Sequence, residues 1–173
     1  MTDIFSLKVE EIVSKIKDAQ LTSVEVCQRY IERINKFDKD VKAWVHFDKK
    51  LLLEKAEEAD QHRRSGKPTG PLHGIPVALK DIIGTVDMPT ECGTPIRKGK
   101  SYSQNAEIVD LLLSAGAIIM GKTATSELAY LSPSKTTNPH DHSRTPGGSS
   151  SGSAASVGSF MAPLSIGSQT GGS

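Results

Sequence analysis

Apolar residues recur at helical spacing through the first third of the chain. They then give way to short apolar runs set among small and polar residues. Leu7, Ile12, Ile16 and Ala19 fall on one stripe of LKVEEIVSKIKDA, which predicts a helix over 7–19. Thr22 and Glu25 have the spacing of a capping box and open a second helix, whose apolar set is Val24, Cys27, Ile31 and Ile34. Val41, Ala43, Val45 and Phe47 then alternate with Lys42, Trp44 and His46, which reads as a strand. Asp48 is placed to cap a third helix running through Arg64 and ended by Gly66. Its surface is mostly charged, so one side is expected to face solvent.

The character of the chain changes at Pro68. Ile75–Ile83 (IPVALKDII) reads as a buried strand carrying one lysine, Lys80. Residues 106–115 form an apolar helix closed by Gly116, and 117–120 (AIIM) a strand whose end Gly121 and Lys122 leave. A short helix over 125–131 and a polar loop over 138–146 follow. A small-residue helix over 153–160 and a strand over 164–166 come last. Helices alternating with short buried strands predict an α/β fold, with a mixed or parallel sheet flanked by helices. The expected organisation is a single domain, with a helical N-terminal region over 1–67 and the rest of its core over 68–173. No internal repeat is present.

Composition narrows the function classes. The 173 residues carry a net charge of +1, with 24% charged and 36% hydrophobic residues. That balance supplies no basic footprint for nucleic acid. No apolar run approaches the length of a membrane span, and the N-terminus lacks the basic and apolar regions of a secretion signal. Two cysteines, Cys27 and Cys92, are a poor disulfide framework, and Cys27 reads as a small core residue. A reduced, cytoplasmic setting is the expectation.

The candidate chemistry is concentrated near the end of the sequence. Two serine-bearing glycine loops, 147–153 and 167–173, bracket the small-residue helix and the last strand. Glycine loops let backbone N–H groups approach a ligand, and serines within them point to nucleophile and oxyanion chemistry. The first loop lacks the lysine of a phosphate-binding loop, because Ser153 follows Gly152. Gly148, Ser150 and Gly152 match the spacing of a nucleophile elbow. No strand precedes them, however, and none of the five histidines follows Ser150. His140-Asp141-His142 has no second cluster at metal-ligand spacing and reads as loop. Lys80 lies in an apolar strand, where burial lowers a lysine pKa and yields a neutral base. Asp81 is next in sequence but points to the opposite strand face. Lys122 is a second candidate base of the same kind.

Taken together, these residues resemble the amidase signature family. PGGSSSGSAASVGSFMAPLSIGSQTGGS is similar to the family's signature region and VALKD to its lysine segment, while GAIIMGKTATSEL and TNPHD also fall in family order. The resemblance covers essentially the whole chain. It implies a Ser–cisSer–Lys catalytic set: Ser173 as nucleophile, Ser149 as bridging serine after a cis peptide bond, and Lys80 as base. It further implies an oxyanion hole from the backbone N–H groups of Thr170, Gly171, Gly172 and Ser173. Ser150 would brace the first loop, and Gly147 and Gly148 would relieve crowding around it.

The activity so implied is hydrolysis of a linear carboxylic amide to acid and amine or ammonia through an acyl-enzyme on Ser173. The implied substrate is a small-molecule amide. No metal, organic cofactor, nucleic acid or membrane is called for, and a homodimer is the assembly toward which the family leans. Two alternatives accompany this reading. One is a subunit of a glutamine-dependent aminoacyl-tRNA amidotransferase, for which nucleic acid would matter. The other is a catalytically silent binding protein on the same scaffold. The family's domain extends well past its nucleophile, so the 173 residues are expected to be the first part of a longer enzyme and to be unstable alone.

Overall fold

The structure, a computed structural model, describes residues 3–171. Helix α1 spans Val9–Lys17 and buries Ile12 and Ile16. Leu7 precedes the helix, and Ala19 turns out of it with a left-handed φ of 57°. Helix α2 spans Ser23–Val41 and opens with the expected box. The Glu25 backbone N–H donates to Thr22 Oγ1 at 3.0 Å, and the Thr22 N–H donates to the Glu25 carboxylate at 2.8 Å.

Helix α3 spans Lys49–Arg64, and the backbone N–H groups of Lys50 and Leu51 donate to the Asp48 carboxylate that caps it. As expected, one side of it faces solvent, while the other buries Leu52, Ala56 and Asp60. The Asp60 carboxylate accepts from the Ser23 and Val24 N–H groups at 2.8 and 3.1 Å. A helix N-terminus has orphan donors and a positive dipole end, so this buried acid ties α3 to the start of α2.

Four strands make one sheet: β1 (Trp44–Phe47), β2 (Pro76–Lys80), β3 (Ile118–Thr123) and β4 (Leu164–Ile166), in the order β1-β3-β2-β4. β1 runs antiparallel to β3, while β2 is parallel to both β3 and β4. The sheet is therefore mixed, as the alternation of elements predicts. It differs from the sequence reading in several places, beginning with β2, which ends at Lys80 because the chain turns at 81–83 instead of running on as strand to Ile83. Helix α2 continues through Val41, and Lys42 turns the chain at φ 56°, so the first residues of the alternating pattern never enter a strand. A register irregularity lies between Trp44 and His46: Val45 is exposed, while Phe47 keeps its expected place on the core and Trp44 packs against it with ring centroids 5.3 Å apart. Finally, Gly121 and Lys122 belong to β3. Both pair on two sides, with β1 and with β2, although neither residue looks like strand in an apolar count.

Helix α4 (Glu107–Ser114) and β3 are joined through Gly116, at φ 86°. The helix expected over 125–131 shrinks to a 3-10 turn at Glu127–Ala129, because Leu128 and Ala129 both adopt left-handed φ, 51° and 57°. Helix α5 spans Ser151–Gly158 and starts two residues before the predicted segment. One apolar cluster runs from Ile12, Ile16 and Cys27 in the helices to Ile75, Val77 and Leu79 on β2 and Met161 beyond α5. Burial pushes the Cys27 thiol pKa up, which fits its expected role as a core residue. Among the described residues, no helix is long and apolar enough to cross a membrane.

Candidate active site

β2 is buried at every position, so its last residue, Lys80, enters the interior from a continuous apolar strand. Its register partner on β3 is Thr123. Thr123 Oγ1 shares a 2.8 Å hydrogen bond with Ser153 Oγ of α5, which fixes α5 over the face on which Lys80 lies. The residues just before α5 form the first glycine loop, and the residues just after β4 form the second. Because β4 pairs with β2 only as far as Leu79–Ile166, the second loop leaves the sheet beside the lysine.

Lys80 Nζ lies within hydrogen-bond distance of two hydroxyls, 2.5 Å from Ser149 Oγ and 2.8 Å from Ser168 Oγ. Lys80 is 0% exposed, and desolvation holds its pKa below the usual lysine range. No ion pair to it is present among the described residues. The Gly148–Ser149 peptide bond is cis, as the resemblance implies. The carbonyl of Ser149 accepts from the Ser126 N–H at 3.0 Å, anchoring the loop to the segment after β3.

Ser150 braces the site across the two loops rather than within the first. Its Oγ donates to the Ser168 carbonyl and accepts from the Ser168 N–H, each at 3.1 Å. The loops come together closely at this point: a Cβ on Gly167 would lie 2.9 Å from Ser150 Oγ. Gly147 and Gly148 do not relieve crowding, since a Cβ at either would meet nothing within 4 Å. Gly147 instead supplies a φ of 92°, which a side-chain-bearing residue rarely adopts.

Lys122, the rival base, is equally buried and points elsewhere. Its Nζ donates to the Ile83 carbonyl at 2.5 Å and to Thr90 Oγ1 at 2.6 Å. Burial lowers its pKa to about 8, opposed by the charges of Asp81 and Asp87 and by Cys92. Asp81 also faces that side and accepts from the backbone N–H groups of Glu91 and Gly93, so it is no partner of Lys80.

Gly147, Gly148, Ser149, Thr170 and Gly171 line one side of a cleft of about 840 Å³. The other wall is Ser126, Leu128, Ala129, Tyr130, Leu131 and Pro133, and among the described residues no charged side chain lines the cleft. Lys80, Ser149, Ser150, Thr170 and Gly171 thus converge on one place, while Gly172 and Ser173 lie outside the described residues. Ser168 is the contact that sequence reasoning missed. Its signal was its position: a serine two residues beyond the strand that pairs with the lysine strand.

The chain is 40% identical, over its whole length, to the glutamyl-tRNA(Gln) amidotransferase A subunits of Salinispora arenicola and Streptomyces coelicolor. It spans 36% of the length of each. The peptide amidase of Stenotrophomonas maltophilia superposes with a TM-score of 0.85 at 34% identity, covering 92% of this chain and 35% of that one. Fatty acid amide hydrolase superposes with a TM-score of 0.91 at 29% identity, covering 98% and 31%. A sequence model of the Amidase family matches residues 25–173. A family match over most of its length, with solved relatives of the same fold, shows that the chain belongs to the amidase signature family.

Proposed function

We propose that the protein hydrolyses a carboxylic amide through an acyl-enzyme on Ser173, with Ser149 as proton relay and Lys80 as general base. The observation that carries this reading is the buried 2.5 Å contact between Lys80 Nζ and Ser149 Oγ at the edge of an uncharged cleft. A serine hydroxyl attacks only as a base removes its proton. Lys80, neutral at rest, takes the proton of Ser149 while Ser149 takes that of Ser173. The Ser173 oxygen bonds to the amide carbon, and the carbonyl electrons move onto oxygen. Backbone N–H groups of Thr170, Gly171, Gly172 and Ser173 are the donors assigned to that oxyanion. As it collapses, the C–N bond breaks, and the relay returns its proton to the departing amine. Water then repeats the sequence and frees the acid.

The test is intact-mass analysis and peptide mapping of the full-length protein after treatment with phenylmethanesulfonyl fluoride. A single adduct on Ser173, absent in Lys80→Ala, is expected. Either failure sinks the relay: no adduct would favour the silent binding protein, and an adduct on Ser150 the nucleophile-elbow reading.

The 40% identity to amidotransferase A subunits favours a second reading of the same acylation chemistry. There glutamine is the amide, and the ammonia released passes to an acceptor on a partner. Co-purification with a second protein, together with ATP-dependent transamidation, would select it. Release of ammonia or amine to solvent by the isolated protein would select the hydrolase.

A further inference from the structure

Resting on the reading of Lys80 as the base, we infer that Ser168 is a positioning residue that aims the Lys80 lone pair at Ser149. The argument is one of valence. A neutral amine has two N–H bonds and one lone pair. For Lys80 to accept a proton from Ser149, the lone pair must face Ser149 Oγ, and the N–H bonds must point elsewhere. Ser168 Oγ, 2.8 Å from Nζ, accepts one of them. It does so from a fixed position, because the Ser168 backbone is held on both its N–H and its carbonyl by Ser150 Oγ.

Among the described residues, nothing else on that face takes this role by charge. The neighbours of Lys80 there are Thr123 on β3, Ser153 on α5, Ser149 and Ser168, none of which ionises near neutrality. Asp81 and Lys122 are engaged with residues 83–93 on the other side. After proton transfer, Ser168 accepts from an ammonium, a stronger contact than the one to the amine. It therefore favours the protonated relay as well as orienting the free base. Ser150, in turn, acts through Ser168, which gives its two hydrogen bonds a purpose beyond joining the loops.

The test compares Ser168→Thr with Ser168→Val in the full-length protein, two side chains of one shape that differ by the hydroxyl. The readout is the rate of inactivation by phenylmethanesulfonyl fluoride across pH, with the adduct counted by mass. Ser168→Thr is expected to stay near the parent. Ser168→Val is expected to react about 10- to 100-fold more slowly, the usual loss when a charged group forfeits a hydrogen bond. Its acid limb should move to lower pH, because the ammonium has lost an acceptor. Should Ser168→Val fail to fold, Ser168→Ala removes the same hydroxyl and is scored by the same two readouts. A hydroxyl-free variant with the parent's rate and acid limb overturns the inference, as does a Ser168→Thr as slow as Ser168→Val. A parent that takes no adduct overturns the proposed function along with it, so the two failures are told apart.

Discussion

Lys80 and Lys122 lie on neighbouring parallel strands, and Lys122 stands opposite Leu79, one residue from Lys80. Each is 0% exposed, and each has its pKa lowered by loss of water. They differ in what their amines meet. Lys80 touches two serine hydroxyls, groups that both give and accept protons. Lys122 touches a backbone carbonyl, which only accepts, and a threonine, with Asp81 and Asp87 supplying negative charge nearby. Burial therefore does not distinguish a base from a structural cation. The one-residue offset between strands sends one amine toward the glycine loops and the other toward the 83–93 segment, and the partners found there decide the role.

The largest expected effect breaks the comparison outright. Lys80→Met, which keeps the volume and removes the amine, should lower turnover of a simple anilide by on the order of 10³-fold, within the range of a lost general base. Lys122→Met should keep turnover within a few-fold. Steady-state rates of purified full-length variants check both, and equal losses would erase the functional distinction between the two lysines.

A smaller effect concerns stability, and it has a definite sign. An unfolded lysine keeps its proton up to about pH 10.5, whereas folded Lys122 gives it up near 8. Between these values the unfolded state binds more protons, so stability rises with pH across that window. At about 1.4 kcal/mol per pH unit, the Lys122 contribution is on the order of 3 kcal/mol. Lys122→Met abolishes it. The thermal midpoint of the parent should therefore rise relative to that of the variant as pH goes from 8 to 10.5. A difference that stays constant over that range would show that Lys122 remains charged in the fold.

Much of this was legible in the sequence, for reasons that differ from element to element. The Thr22–Glu25 box and the Asp48 cap are local hydrogen-bond patterns, and both stand where spacing put them. The mixed sheet followed from alternating helices and apolar runs. What failed was whatever depended on a distant partner. Gly121 and Lys122 are strand because β1 and β2 flank them, and Asp60 is buried because another helix offers it two N–H groups. In the site, Lys80 and Ser149 carried motif signals, and the structure brings them together. Ser168 carried only its position two residues past β4, and that position gains meaning once β4 is known to join β2. Pattern alone left Lys80 and Lys122 even; the resemblance selected Lys80, and strand register gives the physical reason that the two amines meet different partners.

The smallest effect isolates the threonine that receives Lys122. Thr90→Val removes the Oγ1 acceptor 2.6 Å from Nζ while keeping the side-chain shape, and leaves the Ile83 carbonyl as the remaining contact. Losing a hydrogen bond to a charged or partly charged amine costs about 1.5–3 kcal/mol, so the thermal midpoint should fall by several degrees. The sulfonylation rate and its acid limb should not move, because Thr90 and Lys80 lie on opposite sides of the sheet. Ser168→Val predicts the reverse: a slower, acid-shifted reaction with little change in midpoint. The two valines are matched perturbations of two buried lysines, each deleting one hydroxyl acceptor. If Thr90→Val shifted the acid limb, the two amines would be coupled through β2 and β3. The division of labour between them would then have to be given up.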